Sequence, residues 1–234
     1  LVIDAHKIEP ERILLIKLLS MGDVIIVTPV IEAVRKKYPH SEIVFATSRQ
    51  YAGIVNGNPY LDRVIEVNDF DSNSYGSELD YYRAVTLALL QQEKWDKVYQ
   101  MQLLDMPCGY WGTDYHLRDL YAEMADVKVV SEKPFVPVTD VQRQKADLIL
   151  GRYTKNKEKI ILLHTTSGWK LKDWDIAKYP LLAEKIDKKY NCVFFQVGWK
   201  NDAPVDDKRV IHLQGELSLM ETAALMERSD LLIC

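Results

Sequence analysis

The 234-residue sequence predicts an α/β protein of two consecutive lobes, each a parallel sheet flanked by helices. Three observations predict it. Short apolar runs alternate with longer amphipathic segments along the chain. The alternation is interrupted at an extended, proline-bearing stretch between residues 131 and 158. It then restarts in the same form.

The continuous apolar run Ile13 to Ile16 reads as a buried parallel strand. It meets a short Ser20-Met21-Gly22-Asp23 turn, and a helix follows with Ile26, Val30, Ile31 and Val34 on one face. Such a turn sets backbone N–H groups and one carboxylate at the carboxyl edge of a sheet, where open α/β folds bind ligands. Gly22 permits a close approach or a positive φ, and Asp23 sits where a side chain projects into the crevice. Two plainer readings stand beside this one. Asp23 is a helix cap, or the helix starts later, with Thr28 as cap and Pro29 as first residue.

Further strands are expected at Glu42 to Thr47, Arg63 to Val67 and Lys97 to Met101, with a short helix or turn from Tyr51 to Val55. Residues 68–77 are polar and turn-rich, hence a loop. Helices are expected from Glu78 to Gln92 and from His116 to Ala125, with an aromatic, Gly- and Pro-bearing loop from Asp105 to Tyr115 between them. The paired prolines Pro134 and Pro137 keep the next segment extended. Asp140 to Gly151 reads as a helix bridging two lobes, and 153–158 as charged loop. In the second lobe, strands are expected at Ile160 to Leu163, Cys192 to Val197, Val210 to Leu213 and Leu231 to Cys234. Helices are expected at Lys178 to Tyr190 and Ser218 to Arg228, the latter opened by a Ser218/Glu221 capping box. The expected division is 1–138, a bridging segment 139–158, and 159–234.

Composition narrows the function classes. Apolar residues make up 47% of the chain, ample for two cores, and the net charge is −4. The longest basic run, Arg35-Lys36-Lys37, falls at a helix end, where the dipole accounts for it, so nucleic acid is not an expected partner. The start of the chain has no signal-peptide pattern, and no run of about 18 apolar residues suggests a membrane span. Three widely spaced cysteines, Cys108, Cys192 and Cys234, make no zinc pattern and fit a reducing cytosol.

A second functional candidate follows the strand ending at His164. The loop Thr165-Thr-Ser-Gly-Trp-Lys-Leu-Lys-Asp-Trp174 carries hydroxyls, a glycine and two lysines at a strand's carboxyl end, a plausible anion site. Trp169 and Trp174 are suited to stacking on a base or sugar. An exposed loop in which Trp174 anchors the next helix fits equally well.

Taken together, these motifs resemble the family 9 glycosyltransferases, the heptosyltransferase-like enzymes. The matching residues are Ile16-Lys-Leu-Leu-Ser-Met-Gly-Asp-Val24 with Thr28-Pro29, Gly57-Asn-Pro-Tyr-Leu-Asp62, His164-Thr-Thr-Ser with Lys172-Asp-Trp174, Gly198, and Leu217 to Leu225 leading to Asp230-Leu-Leu-Ile. The resemblance implies two Rossmann-like lobes (the GT-B architecture), acceptor bound mainly by the first and nucleotide-sugar by the second. It implies an inverting transfer without a metal ion or other cofactor. The donor would be a nucleotide-sugar such as ADP-heptose, and the acceptor a glycan or lipopolysaccharide-core glycolipid. The setting would be the cytoplasm, with peripheral contact at the inner membrane.

The resemblance also assigns residues. Asp23 matches the general base and Lys172 the lysine that meets the departing diphosphate. Thr166 and Ser167 match the hydroxyl pair on the donor phosphates, Met21 and Gly22 the backbone near the donor, and Asp202 a ribose-binding acid. Tyr75, Tyr110, Trp111 and Tyr115 lie on loops expected to shape the acceptor site. Family members continue beyond the strand at Asp230 to Cys234 into an Asp-(Ser/Thr)-Gly-x-x-His loop that holds the donor diphosphate. The expectation is therefore that the sequence is incomplete at its carboxyl end. A non-catalytic sugar- or nucleotide-binding module and a GT-B epimerase are the alternatives.

Overall fold

The computed structural model describes residues 10–102, 116–129, 131–154, 159–167 and 170–234. The chain forms two compact units, Leu1–Pro137 and Val138–Cys234. The first holds β1 (Arg12–Ile16), α1 (Met21–Lys37), β2 (Glu42–Ser48), β3 (Arg63–Val67), α2 (Ser72–Tyr75), α3 (Glu78–Gln92), β4 (Lys97–Gln100) and α4 (Leu117–Met124). The second holds α5 (Asp140–Tyr153), β5 (Lys159–Leu163), α6 (Tyr179–Tyr190), β6 (Cys192–Gln196), β7 (Val210–His212), α7 (Leu219–Glu227) and β8 (Leu231–Ile233).

Each unit has one four-stranded, all-parallel sheet, and the two share a topology: β3-β2-β1-β4 and β7-β6-β5-β8. In each, the first strand of the unit lies inside, with the second on one side and the last on the other. Strand order therefore reverses beside β1 and beside β5, the point at which open α/β sheets bind ligands.

Residues Ile13 to Ile16 of β1 are wholly buried. Alternation sends Leu14 and Ile16 to one face, where they pack with Val44, Ala46, Tyr81 and Leu89. Ile13 and Leu15 point to the other. In the second unit, Leu162 and Phe195 face Ala146, Leu150, Ala224 and Leu225, while Ile161, Leu163 and Phe194 face Tyr179 and Ala183.

Four local features differ from the sequence reading. First, α1 begins at Met21, so Met21, Gly22 and Asp23 form its first turn instead of a connecting loop. Second, Pro29 lies inside α1. A proline cannot donate to the carbonyl four residues back, which here is Ile25, and the Thr28 hydroxyl donates to that carbonyl at 2.8 Å. Phe135 N in turn donates to Thr28 Oγ1 at 2.9 Å. Thr28 thus mends the helix interior instead of capping its start. Third, the stretch 68–77 contains the one-turn helix α2, because the Asp71 side chain accepts the Asn73 N–H as a cap. Fourth, α5 runs on to Tyr153 and belongs to the second unit. Besides its buried Ala146 and Leu150, it is tied to α7 through Arg143–Glu227 and Lys145–Glu221.

The basic cluster at the end of α1 is used within the fold: Arg35 pairs with Asp62, Lys36 with Glu32 and Lys37 with Asp126. Asp62 also accepts the Ile43 N–H at 2.7 Å, so this carboxylate serves the sheet edge. The capping box of α7 is present, with Ser218 and Glu221 each bonding the other's backbone N–H. Ser218→Ala should lower unfolding free energy by about 1 kcal/mol, with the m-value unchanged, measured by urea denaturation.

Candidate functional site

In the first unit the site grows from the end of β1. The residue after the strand, Lys17, is 1% exposed, a rare state for a lysine without a partner. Its backbone N–H continues the sheet by donating to the Ala46 carbonyl at 3.0 Å. Its ammonium lies 2.9 Å from Asp23 Oδ2 and donates to Gln102 Oε1 at 3.2 Å. Tyr121 of α4, also buried, donates its hydroxyl to the same Asp23 Oδ2 at 2.9 Å. The Lys17 ammonium stands 5.6 Å from the centroid of that ring. Lys17, Asp23, Gln102 and Tyr121 thus converge beyond the carboxyl ends of β1 and β4, where strand order reverses.

The electrostatics follow from burial. Desolvation pulls the Lys17 ammonium below its ordinary pKa, and the Asp23 charge opposes that pull. Burial raises the Tyr121 phenol and the adjacent Asp23 carboxylate raises it further, so Tyr121 stays a donor. Asp23 keeps about a quarter of its side chain (26%) exposed, so one end of a buried cluster reaches solvent.

Asp23 is not the cap. Ser20 holds that position, at φ 70° and ψ 103°, with no side-chain cap bond. It is Ser20, not Gly22, that takes the left-handed region, a conformation that costs a non-glycine residue about 1–3 kcal/mol. At Gly22 an added Cβ would meet no described atom within 4 Å, which leaves open space over the first turn of α1. Met21 is 40% exposed beside it. Ser48 secures the loop by donating to the Leu18 carbonyl at 2.6 Å.

Of the expected acceptor aromatics, Tyr75 is half-buried against the core, its ring edge-on to Tyr81 at 5.0 Å. Tyr110, Trp111 and Tyr115 lie outside the described residues, as do Cys108, Gly168 and Trp169.

In the second unit, β5 leads into His164-Thr165-Thr166-Ser167. The buried Gln196 at the end of β6 organises this edge: its amide donates to Thr165 Oγ1 and to the Ala203 carbonyl, both at 2.9 Å, and accepts from Val205 N at 2.8 Å. Thr166 is half-buried and Ser167 exposed. The Ser167 N–H donates to Asp173 Oδ1 at 2.7 Å, closing the loop that carries both lysines. Lys170 and Lys172 lie on one short 3-10 turn, both exposed. Trp174 packs edge-on against Tyr179, the first residue of α6, at 5.0 Å, so it anchors that helix while remaining 44% exposed. Asp202 accepts the Trp199 N–H at 2.7 Å. Gly198 sits at φ 144° against that carboxylate, where a Cβ would collide with Asp202 Oδ2.

The sequence reading missed Lys17, Gln102, Tyr121 and Gln196. A signal existed for Lys17: it is the one charge in the apolar run Ile13 to Leu19, and a buried charge demands a partner. Nothing local marks Tyr121, which lies 98 residues from Asp23. Among the described residues no three His, Cys, Asp or Glu side chains converge as a metal site, and no helix is long and apolar enough to cross a membrane.

Two parallel-sheet units of one topology, each with polar side chains at the carboxyl end of its first strand, define a doubly wound α/β protein of the Rossmann-like, GT-B class. The chain belongs to glycosyltransferase family 9 (heptosyltransferase), whose family model matches residues 115–234. A comparison with curated protein sequences gave no significant match. Among solved structures, the chain is similar to a family 9 glycosyl transferase from Veillonella parvula, with TM-score 0.75 and 19% identity over 95% of this chain and 74% of that one. It is also similar to Escherichia coli ADP-heptose lps heptosyltransferase II, with TM-score 0.65 and 14% identity over 94% and 78%. Likewise similar is E. coli heptosyltransferase WaaC with ADP-2-deoxy-2-fluoro heptose, with TM-score 0.60 and 17% identity over 94% and 81%. At these identities the likeness speaks for the fold.

Proposed function

We propose that this protein is an inverting, metal-independent glycosyltransferase that moves a sugar from a nucleotide-sugar to a hydroxyl of a glycan or lipopolysaccharide-core-like acceptor. One observation carries the reading. A partly exposed carboxylate, Asp23, stands on the first turn of a helix at the reversal of strand order, paired with a buried cation and beside the open space at Gly22. The first unit takes the acceptor and the second the donor.

In this reading the acceptor hydroxyl gives its proton to Asp23 as its oxygen attacks the anomeric carbon. The bond from that carbon to the donor phosphate breaks on the opposite face, and the nucleoside diphosphate leaves with the electron pair. Attack opposite the leaving group inverts the configuration. Lys172 meets the charge that grows on the departing diphosphate, a stabilisation that a fixed cation supplies directly. Thr166 and Ser167 contact the donor phosphates, with Met21 and Gly22 close to the donor and Asp202 near its ribose. ADP-heptose is the proposed donor, in keeping with the ADP-sugar bound by the WaaC structure. The enzyme works in the cytoplasm and meets its glycolipid acceptor at the inner-membrane face.

The test is nucleotide release from ADP-heptose and other nucleotide-sugars, with and without a lipopolysaccharide-core acceptor. Release that depends on acceptor is the expected result. Release without acceptor would mark an epimerase-type reaction, and binding without release a non-catalytic module; either would overturn the reading.

A further inference from the structure

Asp23 is held through one oxygen only. Lys17 and Tyr121 both bind Oδ2, and among the described residues Oδ1 has no hydrogen-bond partner. The two donors come from independent elements. Lys17 is fixed by the sheet at its backbone and by Gln102 at its ammonium, while Tyr121 projects from α4. A carboxylate otherwise rotates about a broad terminal torsion, and two donors on one oxygen remove that freedom.

We propose that Lys17 and Tyr121 are positioning residues for the base, that they fix Asp23 through Oδ2, and that Oδ1 is the oxygen that receives the acceptor proton. The inference rests on the reading of Asp23 as general base given above. The chemistry at Oδ2 supports the choice of oxygen. An ammonium and a phenol already direct hydrogens at it, so a third proton there would face two donors with nothing to accept it. A proton on Oδ1 leaves Oδ2 as the carbonyl oxygen of a neutral acid, still accepting both bonds. The cluster therefore keeps every partner through the transfer, and only the oxygen without a described partner changes state. Glu78 is a further carboxylate whose field reaches Lys17, and it helps keep the ammonium charged.

The alternative is that Lys17 and Tyr121 merely satisfy one another and Asp23 within the fold. A double-mutant cycle separates the two, because a residue acting through Asp23 has nothing left to act on once Asp23 cannot take a proton. Tyr121→Phe removes one hydroxyl and keeps the ring. With donor and acceptor supplied to the full-length protein, it should lower kcat roughly ten- to a hundredfold, the size of one hydrogen bond to a charged group, with the donor KM nearly unchanged. In the Asp23→Asn background the same change should cost less than about twofold. Lys17→Met should show the same loss of effect in that background, read on folded protein by circular dichroism. Equal losses by Tyr121→Phe with and without Asp23 would overturn the proposal, as would an unchanged kcat in the single variant. Wild-type turnover by Asp23→Asn alone would instead remove the base reading itself, and this inference with it.

Discussion

Replacing Asp23 by Asn is expected to lower sugar transfer roughly 10²–10⁴-fold, with the affinity for nucleotide-sugar little changed. Asparagine keeps the shape of the side chain and still accepts at Oδ1, but it cannot take a proton at neutral pH. A capping role would have made the change nearly harmless, since Asn caps about as well as Asp. The structure excludes that role, because Ser20 occupies the cap and the Asp23 carboxylate turns to Lys17 and Tyr121. The same contact predicts a cost in stability. Lys17 is buried, and without its counter-charge it should cost the fold about 1–3 kcal/mol. The pH dependence has a definite sign. The folded-state pKa of Lys17 is already below its ordinary value of 10.5, and loss of Asp23 lowers it further. Between the folded and unfolded values the unfolded chain binds the extra proton, so stability rises with pH there. The Asn variant should recover part of its deficit as pH rises toward 10.5. Denaturant unfolding at several pH values, beside initial-rate kinetics, measures both effects. Wild-type transfer by the Asn variant would remove Asp23 from the mechanism.

Lys172→Ala should weaken donor binding or slow transfer by about 1.5–3 kcal/mol, the loss of a charge-assisted contact to phosphate. Lys170→Ala should do neither. Both lysines share one short turn and both are exposed, and melting temperatures of the two variants measured alongside separate any effect on folding. What separates them is the Lys-x-Trp spacing, with Lys172 two residues before Trp174, whose ring is braced on Tyr179 at the head of α6. Titration with ADP and initial rates for both variants check this. Indistinguishable kinetics would leave the diphosphate without its proposed partner.

Much of the fold was legible in the chain because its signals are local. β1 and β6 are nearly continuous apolar runs, the pattern of strands buried on both faces, and the periodic faces of α3 and α6 read directly as helices. The Ser218/Glu221 box marked the start of α7 because its two bonds lie within one turn. The misreadings share a physical origin in contacts that local sequence does not contain. Pro29 looks like the start of a helix, and only the Thr28 hydroxyl, itself bonded by Phe135 N from 107 residues away, lets the helix run through it. Gly22 looks like the residue for a strained turn, yet the strain falls on Ser20, the helix cap two residues earlier.

By itself the sequence determined most of the strand and helix segments, that two α/β units follow one another, and that Asp23 and Lys172 come after the carboxyl ends of strands. These depend on periodicity, turn chemistry and spacing, all of short range. Only the tertiary structure decided what Asp23 touches. Lys17 had to be buried at the sheet's edge, and Tyr121 had to arrive on α4, before one carboxylate oxygen was held and the other left, among the described residues, without a hydrogen-bond partner. The physical reason is desolvation. Removing an ammonium and a phenol from water makes a shared acceptor compulsory, and their burial comes from packing between elements distant in sequence.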